Sequence, residues 1–266
     1  MKAPLRPFTM TLAQALIGLA LATTAVQSPA ADWHISSGLD FSNGDYGNAQ
    51  ATKVWYVPLT LKYEGARSTF KMTLPWLSID SPTGGNIIDV DADGRPIYDG
   101  AGPRVTESGW GDAVIAYSWS VWPAPQAGFL LDLGGKVKLP TASESKGLGS
   151  GRADYALNLD LYYLAGAVTP FASLGYRVPG DPDGLELDNQ WFGTVGVGYK
   201  FSNANSAGLM FDLRQASTDS AEASREATLY WVHRFATDFK VQAYGVKGFS
   251  EASADWGLGL MGTWSF

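Results

Sequence analysis

Two short segments of the chain space polar side chains in patterns that could support chemistry. The first reads DVDADG and places Asp89, Asp91 and Asp93 at alternate positions, followed by Gly94. Such a run resembles the start of an EF-hand loop, which binds Ca²⁺ through oxygen ligands. The twelfth position would be Gly100, so the bidentate glutamate is missing, and no helical pattern flanks the segment. The segment predicts either a Ca²⁺ site or a solvated acidic loop.

The second segment places His34 and Ser36 on the same face of a predicted strand. A histidine and a serine can act as base and nucleophile in lipid hydrolysis, provided that a third group orients the imidazole and the pair faces the bilayer. The strand pattern puts this pair on the polar face, so hydrolysis is an alternative and we expect no enzyme activity. His233 is in phase with Trp231 and Phe235 and is predicted to lie at a membrane interface.

A larger set of charged side chains recurs on the polar face of the alternating segments. If that face encloses an interior, the charges either form ion pairs that plug it or line a constriction that selects solutes. Asp132/Lys136 and Asp212/Arg214 are predicted to be internal ion pairs, and a slight basic excess would favour anions. The predicted set is Lys62, Lys71, Asp112, Asp132, Lys136, Lys138, Asp154, Asp160, Arg177, Lys200, Asp212, Arg214 and Arg234.

The elements that carry these side chains are predicted to be strands. Apolar and polar residues alternate in segments such as DWHISSGLDFS, DYALNLDLYY and QWFGTVGVGYKF, and a period of two indicates strand. About twelve such segments of roughly ten residues follow one another. The pattern is least regular in the segments around Arg234 and Lys247.

The connections between these segments alternate between short and long. Residues 64–67, 123–126, 164–167, 202–206 and 235–238 form tight connections, and longer polar stretches lie between them, including the segment from Asp80 to Gly109. Short turns on one side and longer loops on the other are typical of a transmembrane barrel.

The distribution of aromatic and charged side chains decides between a membrane barrel and a soluble β-sandwich. Aromatic residues lie near both ends of the apolar faces, as Trp33 and Phe41 do, which predicts two interfacial girdles. The opposite face carries too many charges for a dry core. We therefore predict an all-β fold, a single transmembrane antiparallel β-barrel of about 12 strands, with a soluble sandwich as the alternative.

The C-terminal segment ADWGLGLMGTWSF is a strand pattern that ends on an aromatic residue. Because lipid offers no partner for free backbone groups, a spanning sheet must close, so the last strand is predicted to pair with the first. A terminal aromatic on such a strand also resembles the signal that the outer-membrane assembly machinery reads.

The N-terminal region predicts a cleavable leader. Lys2 and Arg6 precede an apolar run from Leu12 to Val26 and the small residues of SPAAD, so residues 1–31 are assigned as a signal peptide and 32–266 as the barrel. Removing the leader leaves 17 basic against 26 acidic residues, a net charge of −9 that argues against nucleic acid as a partner. The chain has no cysteine, which excludes disulfides and thiol catalysis.

Three motifs resemble a known family. TESGWGD (106–112), VKLPTASESKGLGSGRADY (137–155) and TPFASLGYRVPGDPDG (169–184) are similar to outer-membrane transporters named for the MetA pathway of phenol degradation. The resemblance implies a small glycine-rich barrel in the outer membrane of a Gram-negative bacterium. It also implies passage of small solutes, hydrophobic or aromatic compounds among them. In this chain, acidic residues replace part of the glycine run of the second outer loop.

The hypotheses are a passive channel whose second outer loop folds inward, a non-transporting surface barrel that binds a partner or cation through its loops, and the lipid hydrolase. The expected partners are outer-membrane lipid, a small solute and the assembly machinery. No cofactor is expected, apart from Ca²⁺ in the acidic loop.

Overall fold

The computed structural model describes residues 32–46, 50–82, 87–90, 96–98, 103–122, 128–183, 185–218 and 221–266. Residues 1–31, the predicted signal peptide, lie outside these ranges. The strands are β1 Asp32–Gly44, β2 Thr52–Glu64, β3 Ser68–Pro82, β4 Ile87–Val90, β5 Pro96–Tyr98, β6 Arg104–Trp110, β7 Ala113–Trp122, β8 Phe129–Leu139, β9 Asp154–Tyr163, β10 Val168–Val178, β11 Gln190–Lys200, β12 Asn205–Arg214, β13 Ser224–Arg234, β14 Phe239–Gly248 and β15 Trp256–Ser265. A 3₁₀ turn covers Glu144–Lys146. None of the described segments forms a helix that is long and apolar enough to cross a membrane.

The strands form one closed antiparallel barrel with twelve strand positions. Strands β7 to β15 pair in chain order, and β15 pairs with β1, β1 with β2, and β2 with β3. Strand β3 pairs with β7 along its first half and with β6 along its second half, so β6 and β7 together occupy one position. The small hairpin β4–β5 is a separate sheet. The predicted fold class is confirmed.

Closure occurs between the two ends of the described chain. The register of β15 on β1 runs from His34 opposite Ser265 to Asn43 opposite Trp256. Beyond it, Phe266 and Trp33 exchange both backbone hydrogen bonds, with N···O distances of 2.9 and 3.1 Å. The prediction that the last strand pairs with the first is confirmed, and this pairing satisfies the backbone groups along the seam between β15 and β1.

Apolar side chains face outward and polar side chains face inward. On β1 the side chains of Trp33, Ile35 and Leu39 are exposed, whereas His34 and Asp40 are buried. The same alternation continues around the barrel and leaves a belt of exposed aliphatic and aromatic residues. Because water would not tolerate such a belt and lipid would, the arrangement is that of a membrane barrel.

Aromatic rings contact one another near both ends of the strands, as predicted. At the end with the short turns, Trp33 lies 5.0 Å from Tyr63 between ring centroids. At the end with the long loops, Phe41 lies 4.7 Å from Trp55 and 5.3 Å from Trp256. These pairs belong to the two girdles expected where a barrel meets the two interfaces.

The segment from Asp80 to Gly109 differs from the prediction of a long loop. Strand β3 continues to Pro82, and β6 pairs with it from Trp110 back to Arg104. The Nη2 atom of Arg104 lies 2.9 Å from Oδ2 of Asp80, and its Nη1 atom donates to the carbonyl of Ala51. This side-chain network ties three chain segments together, which accounts for a sheet that extends beyond the predicted strand ends.

Candidate functional site

A buried ionic network lies on the lumen wall near the long-loop end. The Nζ atom of Lys138 lies 3.4 Å from Oδ2 of Asp112 and 3.2 Å from Oδ2 of Asp154. Arg177 donates a hydrogen bond of 2.6 Å to the same Asp154 oxygen. Lys138 is 1% exposed and Asp112 is fully buried. The structure thus joins four of the predicted lumen residues in one network, which extends from Asp112, directly before β7, to strands β8, β9 and β10.

The loop between β8 and β9, residues 140–153, folds into the barrel beside this network. The amide of Ala142 donates to Oδ1 of Asp112 over 2.9 Å, and Lys138 donates to Oγ of Ser150 over 3.0 Å. Leu148 is 1% exposed and belongs to a buried apolar cluster with Val54, Tyr56, Leu77, Ile79 and Met261. Among the long connections, counted in chain order, this inward-folding loop is the third, and it is called here the third outer loop.

The sequence predicts that the second outer loop, which lies between β3 and β6, folds into the lumen. Most of residues 83–102 lie outside the described ranges, so that expectation stays a prediction. The third loop was missed because SESKGLGS has only one large apolar residue. A single leucine in a polar glycine-rich stretch carries no periodic signal.

A cavity of about 340 Å³ occupies the lumen between strands β2, β3 and β7–β13. Its wall extends from Glu64 and Thr69, near the short turns, to Ser224 and Glu226, near the long loops. The basic side chains that line it are Lys62, Lys71, Lys136 and Arg214, and the acidic ones are Glu64, Asp132, Asp160, Asp212 and Glu226. The lining is therefore close to electrically balanced, and the basic excess inferred from the sequence does not describe this cavity.

Four of the acidic residues belong to one row of register partners, called here the acidic row, which consists of Asp132, Asp160, Ser173, Thr194, Asp212 and Glu226. Each member lies directly opposite the next on the neighbouring strand. The hydroxyls of Ser120, Ser173 and Thr194 donate to Asp132, Asp160 and Asp212 over 2.7, 2.5 and 2.5 Å. These hydroxyl donors hold the three carboxylates in position. The ion pairs Asp132/Lys136 and Asp212/Arg214 stay predictions.

A second row, called the basic row, runs parallel to the first. Lys62 lies opposite Lys71, and the row continues through Ala116 to Lys136. It then passes through Ala156 to Arg177. On β8 the two rows are four residues apart, at Asp132 and Lys136, which corresponds to about 13 Å along a strand.

Aromatic rings lie flat on the lumen wall where the neighbouring strand carries glycine. Phe192 pairs with Gly175, and a Cβ atom added there would lie 2.1 Å from Cζ of the ring. Phe171 pairs with Gly196 in the same way, at 2.3 Å from its Cζ. Only a residue without a Cβ leaves room for these rings. Both rings line the cavity and provide apolar surface between charged groups.

His34 belongs to a different polar group, at the junction of β15, β1 and β2. Its Nδ1 atom lies 2.8 Å from Oγ of Ser265, and its Nε2 atom lies 3.0 Å from Oε2 of Glu64. Lys62 forms an ion pair with Glu64, and Ser36 shares a hydrogen bond with Thr263. His34 and Ser36 are buried inside the lumen. Neither faces the bilayer, as a lipid hydrolase would require, and the group joins the strands that close the barrel.

The remaining predicted residues are dispersed. Lys200 and Arg234 end strands at the short-turn side and do not line the cavity described above. Outside the lumen, His233 forms a 2.8 Å hydrogen bond with Asn205 and contacts Phe235.

Two further lumen residues, Glu64 and Glu226, are absent from the predicted set, because the sequence pattern places Glu64 in a turn and is irregular along β13. Both are in phase with the lumen face, so a strict count of alternate positions would have found them.

The acidic DVDADG segment lies mostly beyond the described residues. Asp91 and Asp93 are outside the described ranges, and only the backbone of Asp89 is described, within β4. In the part of the chain that the structure describes, no group of three or more histidine, aspartate or glutamate side chains could hold a metal ion. Ca²⁺ binding at the acidic segment stays a prediction.

Comparisons with known proteins identify the fold. No protein-family model matches the chain, and no curated protein matches it. Among solved structures it is similar to the KdgM porin, with a TM-score of 0.55, 10% identity, and coverage of 88% of this chain and 99% of that one. The NanC porin gives a TM-score of 0.52 at 8% identity, with 86% and 98% covered. The chain shares the barrel fold of outer-membrane porins, although at such low identity the likeness extends to the fold alone.

Proposed function

We propose that the chain is an outer-membrane channel through which small solutes diffuse passively. The observation that carries this proposal is the charged lumen with a cavity of about 340 Å³ inside a barrel whose outer surface is apolar. A barrel that served only as a membrane anchor would gain nothing from two ordered rows of charge, because buried charges are costly unless they are paired or hydrated. Charged side chains that line a lumen are the usual basis of solute selection in channels.

The third outer loop sets the size limit in this proposal. Leu148 and the Lys138 network fill the lumen at the long-loop end, so solutes pass beside them before they reach the cavity. The lumen of a twelve-strand barrel is narrow even without such a loop. We therefore expect the channel to admit single small molecules and to exclude chains of several sugar units.

Planar-bilayer conductance and liposome swelling test the proposal. The purified barrel is expected to give discrete KCl current steps and to swell liposomes in arabinose faster than in a trisaccharide. Leu148→Ala removes the apolar anchor of the loop, so we expect larger current steps and faster trisaccharide uptake. Leu185→Ala, in the fourth outer loop, is the matched control and should leave both unchanged. Silent bilayers with the wild type and with Leu148→Ala would contradict the proposal.

The same filling of the long-loop end supports a second candidate, a surface barrel that does not transport. Its lumen would be permanently closed by the Leu148 cluster and the Asp112–Lys138–Asp154 ion pairs. This candidate predicts no conductance even when residues 143–149 are replaced by a short glycine-serine linker. The channel predicts that the same replacement increases conductance.

Location, partners and solute preference follow from the same proposal. The apolar belt would contact the lipid of a Gram-negative outer membrane, and the terminal strand β15 would be the segment read by the assembly machinery. We retain the MetA-pathway transporters as the proposed family, and with them passage of small hydrophobic or aromatic compounds. The inward orientation of His34 and Ser36 supports a role other than lipid hydrolysis.

A further inference from the structure

We infer that the lumen cavity selects small zwitterions, solutes that carry an ammonium group and a carboxylate at opposite ends of a short apolar body. The inference rests on the proposed channel function and names the class of solute that the cavity takes. It depends on three features of the wall, namely the acidic row, the basic row and the aromatic surface between them.

The acidic row provides the subsite for the ammonium group. Asp132 and Asp160 lie directly opposite each other on β8 and β9, and both line the cavity. Ser120 donates to Oδ1 of Asp132, and Ser173 and Asn158 donate to Oδ1 and Oδ2 of Asp160, so the orientation of each carboxylate is fixed. Each carboxylate oxygen has two lone pairs, so Asp132 and Asp160 keep acceptor capacity for a donor that enters the cavity.

The basic row provides the subsite for the carboxylate. Lys71 and Lys136 line the cavity from β3 and β8, with only the small Ala116 between them in the register. A small residue at that point leaves space in front of the wall. Ammonium groups on both sides of this space can approach one carboxylate, and such charge-assisted hydrogen bonds are stronger than those between neutral groups.

The two subsites are separated along the barrel wall. Asp132 and Lys136 are four residues apart on one strand, about 13 Å between Cα atoms. On β11, Thr194 belongs to the acidic row, and Gln190 lies opposite Arg177 of the basic row. Phe192 lies between these two positions of β11, so its ring lies between the rows. The long side chain of Lys136 covers part of this separation, so a solute with about five methylene groups between its charges can reach both rows, and its carbon chain shares the cavity with the ring of Phe192. A purely anionic or cationic solute would meet a row of like charge at one end.

The test measures how well three matched compounds block the KCl current of single channels at pH 7. The compounds are 6-aminohexanoate, hexanoate and hexylammonium, which share a carbon chain and differ in their charged ends. We expect the half-blocking concentration of 6-aminohexanoate to be at least fivefold lower than that of either other compound. Equal block by all three, or stronger block by hexanoate or hexylammonium, would overturn the inference.

Single substitutions assign the two subsites. Asp132→Asn and Asp160→Asn should raise the half-blocking concentration of 6-aminohexanoate towards that of hexanoate, and Lys136→Gln should raise it towards that of hexylammonium. Lys200→Gln changes a strand-end lysine outside the cavity lining and is expected to have no effect.

If wild-type barrels carry no current, the channel proposal fails. The same three compounds are then titrated calorimetrically into the detergent-solubilised barrel, where preferential binding of the zwitterion supports the site and its absence overturns it.

Discussion

The Nζ atom of Lys138 donates a hydrogen bond of 3.0 Å to Oγ of Ser150, and both side chains are 1% exposed. Lys138 belongs to strand β8, and Ser150 belongs to the loop that follows the same strand. The bond therefore holds the third outer loop inside the barrel. Since the same ammonium group lies between Asp112 and Asp154, the position of the loop is coupled to the charge balance of the lumen.

Replacing Lys138 with methionine should release the third loop. The substitution removes the donor to Ser150 and leaves the buried Asp112 carboxylate without its cation, a change that costs about 3–5 kcal/mol for a buried ion pair. We expect larger and noisier single-channel currents and faster proteolysis within residues 140–153. Lys200→Met is the control. Currents identical to wild type would show that Lys138 does not hold the loop.

The His34 group should stabilise the closure of the barrel. His34→Ala removes hydrogen bonds to Ser265 and to the Glu64 carboxylate, together worth about 2–4 kcal/mol. The free energy of unfolding in urea, measured in detergent micelles, is expected to fall by that amount. His233→Ala, on the outer face near a turn, should cost less. Equal losses for the two variants would contradict a special role for the strand junction.

A glycine on the last strand makes room for a lumen tyrosine. A Cβ atom at Gly259 would lie 2.1 Å from Cζ of Tyr244, whose hydroxyl donates a 2.6 Å hydrogen bond to Asp40. Gly259→Ala should displace the ring and lower the free energy of unfolding by about 1.5–3 kcal/mol, the range for a hydrogen bond to a charged group.

Two further variants separate the causes of that loss. Tyr244→Phe removes the hydroxyl that donates to Asp40 and keeps the ring, so it should reproduce much of the loss. At Gly262, on the opposite face of the same strand, a Cβ atom would make an ordinary contact of 3.5 Å with Phe239. Gly262→Ala should therefore be nearly neutral. A loss at Gly262 as large as at Gly259 would contradict the packing argument.

Adjacent residues on β9 test which face meets lipid. Leu159 points outward and is 45% exposed, whereas Asn158 lines the cavity. Arginine in place of Leu159 should cost about 2–4 kcal/mol in lipid vesicles, because it places a charge near the middle of the bilayer. Arginine in place of Asn158 should leave stability closer to wild type and reduce the conductance. A larger loss of stability for Asn158→Arg than for Leu159→Arg would contradict the assignment of these side chains to the lumen and to the lipid.

The barrel can be predicted from the order of the amino acids, because the information that specifies strands is local. Alternation of side chains places Leu159 and its apolar neighbours on one face and Asp160 on the other, whatever the rest of the chain does. The aromatic positions near strand ends and the alternation of short and long connections then favour a membrane barrel over a soluble one. The same alternation along each strand predicts that Lys138, Asp154 and Arg177 point into the lumen.

The organisation of the lumen depends on contacts between distant residues that form in the folded barrel. Leu148 reaches partners on β2, β3 and β15, far away in the sequence, so no local pattern could reveal the inward loop. The acidic and basic rows depend on the register between neighbouring strands, which places Asp132 opposite Asp160 and Thr194 opposite Asp212. Alternation assigns each side chain to a face of its own strand, whereas the pairing of strands assigns its neighbours, and the chemistry of this lumen depends on those neighbours.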